Sequence, residues 1–421
     1  MLLKLAYGKT GLDLELNDEW SVTVVEPEFV PGLPDPRSAL SAALHTPIES
    51  PALVEFVKPA DRVGILFSDL TRPTPNNLLL PAVLAELAHV PKENITLFNG
   101  VGTHRANTDA ELRRMLGDEL VDGYRIVQNN CFDTSSQEYI GTSTRGHAIW
   151  INGEVTRCNV KIFTGFIEPH FFAGFSGGGK ALMPGMAGLK TILGNHDAGM
   201  ISDPKSTWGE TWGNPIWEEV REVAHRMGPA FLLNVTLNKD KQITAVFAGD
   251  LDTAHASGCA FVKGKAMVPV SHPFDIVITT NSGYPLDLNL YQAVKGMSAA
   301  AQIVCEGGAI IIAAECSDGI PEHGLYGQLL REAKSPRALL ERINAPGFLE
   351  QDQWEAQIQA QIQLKSDVYV RSDGLTREQI EHSLLLPCDR IEETVTRLLN
   401  RYGRDARICV LPEGPQTIPY L

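Results

Sequence analysis

Apolar residues in this chain come in short runs, and most runs end in a polar turn rich in glycine or proline. Arg62–Phe67 (RVGILF) is nearly continuous, the pattern of a strand buried on both faces. It gives way to Ser68-Asp69-Leu70-Thr71-Arg72-Pro73-Thr74-Pro75, where the prolines end the strand. Asn76 or Asn77 is then positioned to cap a helix running to about His89. Ile95–Asn99 predicts the next strand, closed by Gly100-Val101-Gly102-Thr103-His104-Arg105. Thr108 and Glu111 have the spacing of a capping box for a helix through Leu116. Tyr124–Gln128, Asn159–Thr164 and Phe231–Leu237 continue the strand series, with a helix near Pro215–Met227.

Beyond about Val268–Pro273 the pattern restarts. Phe274–Thr280 (FDIVITT) predicts a strand, with a helix from about Tyr291 and a strand at Ala309–Ala314. Helices are expected within Ser335–Ile362 and over Arg377–Asn400, then a last strand at Ala406–Leu411. Ahead of all this, the stretch to about Leu53 reads as strands, a linker containing Val30-Pro-Gly-Leu-Pro-Asp-Pro36, and a helix near Ser38–Leu44. Strands alternating with helices predict an α/β protein with largely parallel, Rossmann-like sheets. The expected division is residues 1–270 as an N-terminal domain and 271–405 as a C-terminal domain. The tail, 406–421, is expected to return to the N-terminal domain.

Ligands in such sheets bind beyond the carboxyl ends of the strands. Asp69, Arg72, His104, His170 and Lys180 all follow predicted strand ends, so they can converge although distant in sequence. The densest stretch is Gly165–His196. Gly177, Gly178 and Gly179 directly precede Lys180, and consecutive glycines do not suit a helix interior. Their N–H groups can form an anion nest.

Composition narrows the classes. A chain of 421 residues is too long for one ordinary core. Its net charge of −15 argues against a nucleic acid or an anionic membrane as partner, but not against small anions held by local basic residues. No run reads as a transmembrane span or a signal peptide. Seven scattered cysteines without a Cys-x-x-Cys pair suggest reduced thiols and a cytoplasmic protein.

Two readings of the glycine stretch rest on its residues alone. Gly174 to Lys180 fits the spacing of a phosphate-binding P-loop, but Ala181 stands where a hydroxyl should meet magnesium, and Pro184 interrupts the helix that should follow. His104, His170 and His196 could instead supply the three imidazoles of a catalytic zinc, although their spacing matches no local metal motif.

A third reading comes from resemblance. Asp69-Leu-Thr-Arg72-Pro, Gly102-Thr-His104-Arg, Glu168-Pro-His170 through Lys180, Gly194-Asn-His196 and Tyr291-Gln292-Ala-Val-Lys295-Gly resemble the nickel-dependent lactate racemase family, in order and over essentially the whole chain. The resemblance implies a two-domain α/β protein with a nickel pincer mononucleotide in the interdomain cleft, made by separate maturation enzymes. His196 matches the imidazole that ligates nickel. Lys180 matches a lysine that, in some relatives, holds a sulfur arm of the cofactor as a thioamide. Asp69 and the glycines 177–179 are expected beside the cofactor. His104 and His170 match the acid/base pair, and Arg72, Gln292 and Lys295 the substrate-binding residues. Tyr291 and Trp354 fall where the family has aromatic pocket residues.

The chemistry of a 2-hydroxy acid suits this set. Its Cα–H is very weakly acidic, so hydride loss after hydroxyl deprotonation is easier than proton abstraction. The product is a planar 2-keto acid that accepts hydride on either face. Each enantiomer needs a base near its own hydroxyl, and unperturbed histidines titrate near neutrality. Arg72 can grip a carboxylate through two N–H groups. Gln292 and Lys295, three residues apart, share a helix face. The expected function is racemisation of a small 2-hydroxy acid, lactate by default. The alternatives are a longer, aromatic or acidic 2-hydroxy acid as substrate, or a nonenzymatic nucleotide- or metal-binding protein.

Overall fold

The computed structural model describes residues 1–322 and 324–421. The chain forms two compact units. The first comprises Phe29–His196 and Pro204–Gly264, and the second comprises Met1–Glu28, Asp197–Asp203 and Lys265–Leu421.

The first unit is built on a six-stranded sheet. Its strand order is Ile243–Gly249, Ala230–Leu237, Val160–Phe166, Val63–Ser68, Ile95–Gly100, Arg125–Gln128. All pairings are parallel except the antiparallel edge made by Ile243–Gly249. Ile65 lies opposite both Leu97 and Ile162. Every residue of Val160–Phe166 is buried, as its central place requires, and its two polar side chains are satisfied by backbone carbonyls, Lys161 by that of Met227 and Thr164 by that of Leu66. The helices Pro36–His45 and Asn76–Glu86 contribute Leu40, Leu44, Leu79, Leu80 and Val83 to a core shared with Ile65, Phe67 and Leu233. Fully burying one such side chain is worth about 1.5–3 kcal/mol, so this apolar layer fixes the strand ends that carry the polar loops.

The capping box at Thr108 and Glu111 forms as expected. Asn76 does not cap its helix: Pro75 precedes the first turn, and the Asn76 side chain donates to the Ser68 carbonyl. Elements outside the sequence expectation include the antiparallel edge strand, the helices Leu189–Asn195 and Leu251–Ala266, and a hairpin of Gln137–Thr142 with Ala148–Asn152.

The second unit has its own six-stranded sheet, all parallel, in the order Leu386–Pro387, Asp367–Arg371, Val304–Ala313, Phe274–Thr280, Arg407–Leu411, Ser21–Val24. This corrects the expected domain limits. The first 28 residues belong here, and so does the tail that was expected to return to the N-terminal domain. The reason is pairing: Ile408–Leu411 are buried and need a strand on each side, which Phe274–Thr280 and Ser21–Val24 supply. The helix expected over Arg377–Asn400 is two helices, Arg377–His382 and Ile391–Tyr402, parted by the edge strand Leu386–Pro387. Pro387 has no N–H to give, which suits an edge position.

Candidate functional site

Val63–Ser68 and Ile95–Gly100 are neighbours in the first unit's sheet, so the loops leaving their carboxyl ends meet. Asp69 directly follows the first strand. The second runs into a turn in which the His104 N–H donates to the Val101 carbonyl and Gly102 takes a φ of 58°. This turn brings His104 back onto Asp69, and its Nδ1 donates to Asp69 Oδ2 at 2.7 Å. The other carboxylate oxygen accepts from Thr71 Oγ1 at 2.7 Å.

Asp69 is only 4% exposed. Burial alone would raise its pKa, but the His104 hydrogen bond and charge, the Arg72 charge and the Thr71 hydroxyl outweigh it and hold the carboxyl below its usual range. An ionised Asp69 keeps the proton of neutral His104 on Nδ1 and leaves the lone pair on Nε2. It also stabilises the imidazolium formed when Nε2 takes a proton. Asp69 was expected beside a cofactor, yet both its oxygens are engaged by His104 and Thr71. Arg72 is half-buried nearby, and among the described residues its guanidinium makes no hydrogen bond or ion pair.

Glycine-rich chain leaves the Val160–Phe166 strand. Pro169–His170 pairs with Gly174–Phe175, and Gly174 turns with a φ of 74° where a Cβ would lie 2.0 Å from the Glu210 carbonyl oxygen. Backbone N–H groups of Ala173, at 3.3 Å, and Phe172, at 3.5 Å, point at His170 Nδ1. That assigns the proton of neutral His170 to Nε2. Phe172 is the hub of this region. Its ring centroid lies 4.5 Å from that of His170, 5.0 Å from that of His196 and 5.7 Å from Lys180 Nζ. One aromatic ring thus gathers three residues that the sequence singled out.

The Leu189–Asn195 helix delivers His196 at its C-terminal end. His196 Nδ1 donates to the Ile192 carbonyl at 3.1 Å, one turn back. The ring is therefore held in the tautomer whose Nε2 lone pair can bind a metal. Among the described residues, no three His, Cys, Asp or Glu side chains are grouped to hold a metal ion. The three-imidazole zinc centre is therefore not formed. A single imidazole donor suits a metal whose other ligands arrive with a cofactor.

The glycines do not form a P-loop. Gly178–Ala181 is a 3₁₀ turn, not the head of an α-helix. The Gly178 N–H donates to Asn234 Oδ1 at 2.8 Å. A Cβ on Gly177 would lie 2.4 Å from that same oxygen, and one on Gly178 3.0 Å from the buried His255 ring. Their small size therefore lets the turn lie against its own protein and sets the base from which Lys180 extends.

Residues expected in the second unit also meet one another. On the helix Leu290–Ala301, Lys295 Nζ donates to Gln292 Oε1 at 2.8 Å. Trp354, at the start of the helix Gln353–Lys365, donates from Nε1 to the Tyr291 hydroxyl at 3.0 Å, and the Tyr291 ring packs edge-on against Tyr326. Sequence reasoning missed Phe172, Asn195 and Glu219 and left His147 aside. Phe172 and Asn195 lie inside the quoted motifs Glu168–Lys180 and Gly194–His196, whereas Glu219 lies in none.

Known proteins resemble this chain over nearly its whole length. Residues 7–209 match the family model described as the lactate racemase N-terminal domain, and residues 270–418 the one described as the lactate racemase C-terminal domain. The chain is 35% identical to the lactate racemase of Thermoanaerobacterium thermosaccharolyticum, covering 99% of this chain and 98% of that protein. It is 38% identical to the lactate racemase of Lactiplantibacillus plantarum, covering 90% of this chain and 89% of that protein. The solved structure of the T. thermosaccharolyticum lactate racemase apoprotein matches with a TM-score of 0.94 at 34% identity over 100% of both chains. A crystal structure of a Thermotoga maritima protein shares the fold, with a TM-score of 0.70 at 18% identity over 93% of this chain and 99% of that one. Among the described residues no helix is long and apolar enough to cross a membrane.

Proposed function

Since the chain belongs to the lactate racemase family, we propose that it interconverts the D- and L-enantiomers of a small 2-hydroxy acid, lactate first among them, using a nickel pincer nucleotide made by separate maturation enzymes. The observation that carries this reading is the gathering of Lys180, His170 and His196 around the Phe172 ring. An amine able to form a thioamide, an imidazole able to move a proton and an imidazole fixed as a metal donor are the side chains such a cofactor needs. His196 would hold the nickel through Nε2, and Lys180 would tether or neutralise a sulfur arm. When bound, the cofactor supplies an electrophilic carbon that accepts hydride from Cα and returns it.

The protein's own part is binding and proton transfer. His104 Nε2 takes the hydroxyl proton of one enantiomer, and the Asp69 carboxylate stabilises the charge that this creates on the ring. His170 serves the other enantiomer. Its contacts from the Ala173 and Phe172 N–H groups are long. The hydroxyl proton would go to Nδ1, the ring's one lone pair, which gives up these two acceptor contacts as it becomes an N–H. One histidine would take the hydroxyl proton and the other return one, so a 2-keto acid that regained hydrogen on its opposite face would leave as the other enantiomer. Arg72 would hold the substrate carboxylate through its guanidinium.

Arg72→Ala tests the substrate assignment. A lost charge-assisted contact is worth about 1.5–3 kcal/mol, so kcat/KM for lactate should fall roughly 10- to 150-fold. Nickel content should stay near that of the parent protein. Chiral chromatography of lactate, with metal analysis of the same sample, reads both. A parent-like rate would make Arg72 a bystander.

A further inference from the structure

Each residue of Gly194-Asn195-His196 is fixed by a different partner, and two of the three trace back to one buried carboxylate. Glu219, on the helix Pro215–Arg226, is 1% exposed. Its Oε1 accepts from Ser143 Oγ at 2.5 Å and from His147 Nδ1 at 2.8 Å. Its Oε2 accepts from Asn195 Nδ2 at 2.9 Å, and that amide also donates to the Ile216 carbonyl at 3.2 Å. The His147 ring packs on Gly194 so closely that a Cβ there would lie 2.9 Å from it. Burial opposes the charge on Glu219, but His147, Ser143 and Asn195 together keep its carboxyl below the usual range. The result is an ionised group with three donors on two oxygens, directly behind the residue that precedes His196. Ser143 and His147 are the two ends of the turn that joins Gln137–Thr142 to Ala148–Asn152, so the hairpin has a structural task at this point.

We infer that Glu219 is a positioning residue for His196: through Asn195, with His147 seated on Gly194, it sets the direction in which the His196 imidazole meets the metal. This rests on the reading of His196 as the nickel ligand. The groups that orient a metal-binding histidine commonly change metal affinity 10- to 100-fold when removed, although they never touch the metal. Glu219→Gln keeps the size of the side chain but turns one oxygen into an N–H₂ that faces a donor. Asn195→Ala cuts the same link while leaving Glu219 its bonds to Ser143 and His147. It serves as the second variant should the buried Gln prevent folding.

The test uses holoprotein co-produced with the maturation enzymes, and reads nickel per chain, the visible absorption spectrum and the rate of nickel loss to a chelator. The melting temperature of each variant is recorded alongside. Both variants are expected to lose nickel about 10- to 100-fold faster than the parent, with a shifted visible band. His196→Ala is the control. If it alters the band and nickel loss while folded Glu219→Gln and Asn195→Ala behave like the parent, the positioning role is overturned. A lower melting temperature with parent-like spectrum and nickel loss also overturns it, because the network would then be structural only. If His196→Ala itself leaves the spectrum and nickel loss unchanged, the ligand reading fails, and the inference fails with it.

Discussion

His104→Ala and His170→Ala should each remove most racemisation, starting from either enantiomer. The reaction is reversible, so the histidine that takes the hydroxyl proton of one enantiomer gives a proton to the other on the way back. Neither direction can run without both. A positioned acid/base group contributes about 10²- to 10⁴-fold, and a loss of that size is expected in kcat and kcat/KM together. Nickel content should hold in His104→Ala, because the His104 ring bonds to Asp69 and is not among the residues around Phe172. Initial rates from D- and L-lactate, with nickel measured on the same protein, check this. A variant that racemises either enantiomer at the parent's rate would contradict the use of both histidines.

His196→Ala should have a comparably large effect through a different cause. Its Nδ1–H donates to the Ile192 carbonyl, which sets the tautomer whose metal-donor atom is Nε2. Removing it takes away the imidazole proposed as the metal's protein ligand. Purified protein should hold much less than one nickel per chain and lose its visible absorbance. If the protein is active with stoichiometric zinc and no nickel, the cofactor assignment is wrong.

These two expectations draw on different amounts of sequence information. The strand ends carrying Asp69, His104 and His170 were legible because Arg62–Phe67, Ile95–Asn99 and Asn159–Thr164 are apolar runs of strand length, each closed by polar turn residues. The helix at Thr108 was legible from its capping box. What Asp69 does was not legible, because the bond to His104 joins residues 35 positions apart and depends on how two loops fold back. Phe172 lies inside the Glu168–Lys180 motif but was given no role, since an aromatic residue between apolar neighbours reads as core until the rings around it are known. Glu219 was hidden in the same way: its helix shows a well-formed amphipathic pattern, and only the fold turns that carboxylate toward Ser143, His147 and Asn195. The tail was misassigned because a strand's own residues state that it will be buried, but not which sheet will take it.

The most direct test of the central claim is the fate of hydrogen at Cα. Holoprotein co-produced with the maturation enzymes is given one enantiomer of lactate deuterated at Cα in ordinary water. The product is resolved by chiral chromatography and weighed by mass spectrometry. Both enantiomers should appear, the deuterated substrate should react more slowly than the ordinary one, and the product should keep its deuterium. Product that has exchanged its deuterium for solvent hydrogen would mean that a proton leaves Cα, and the hydride account would be contradicted.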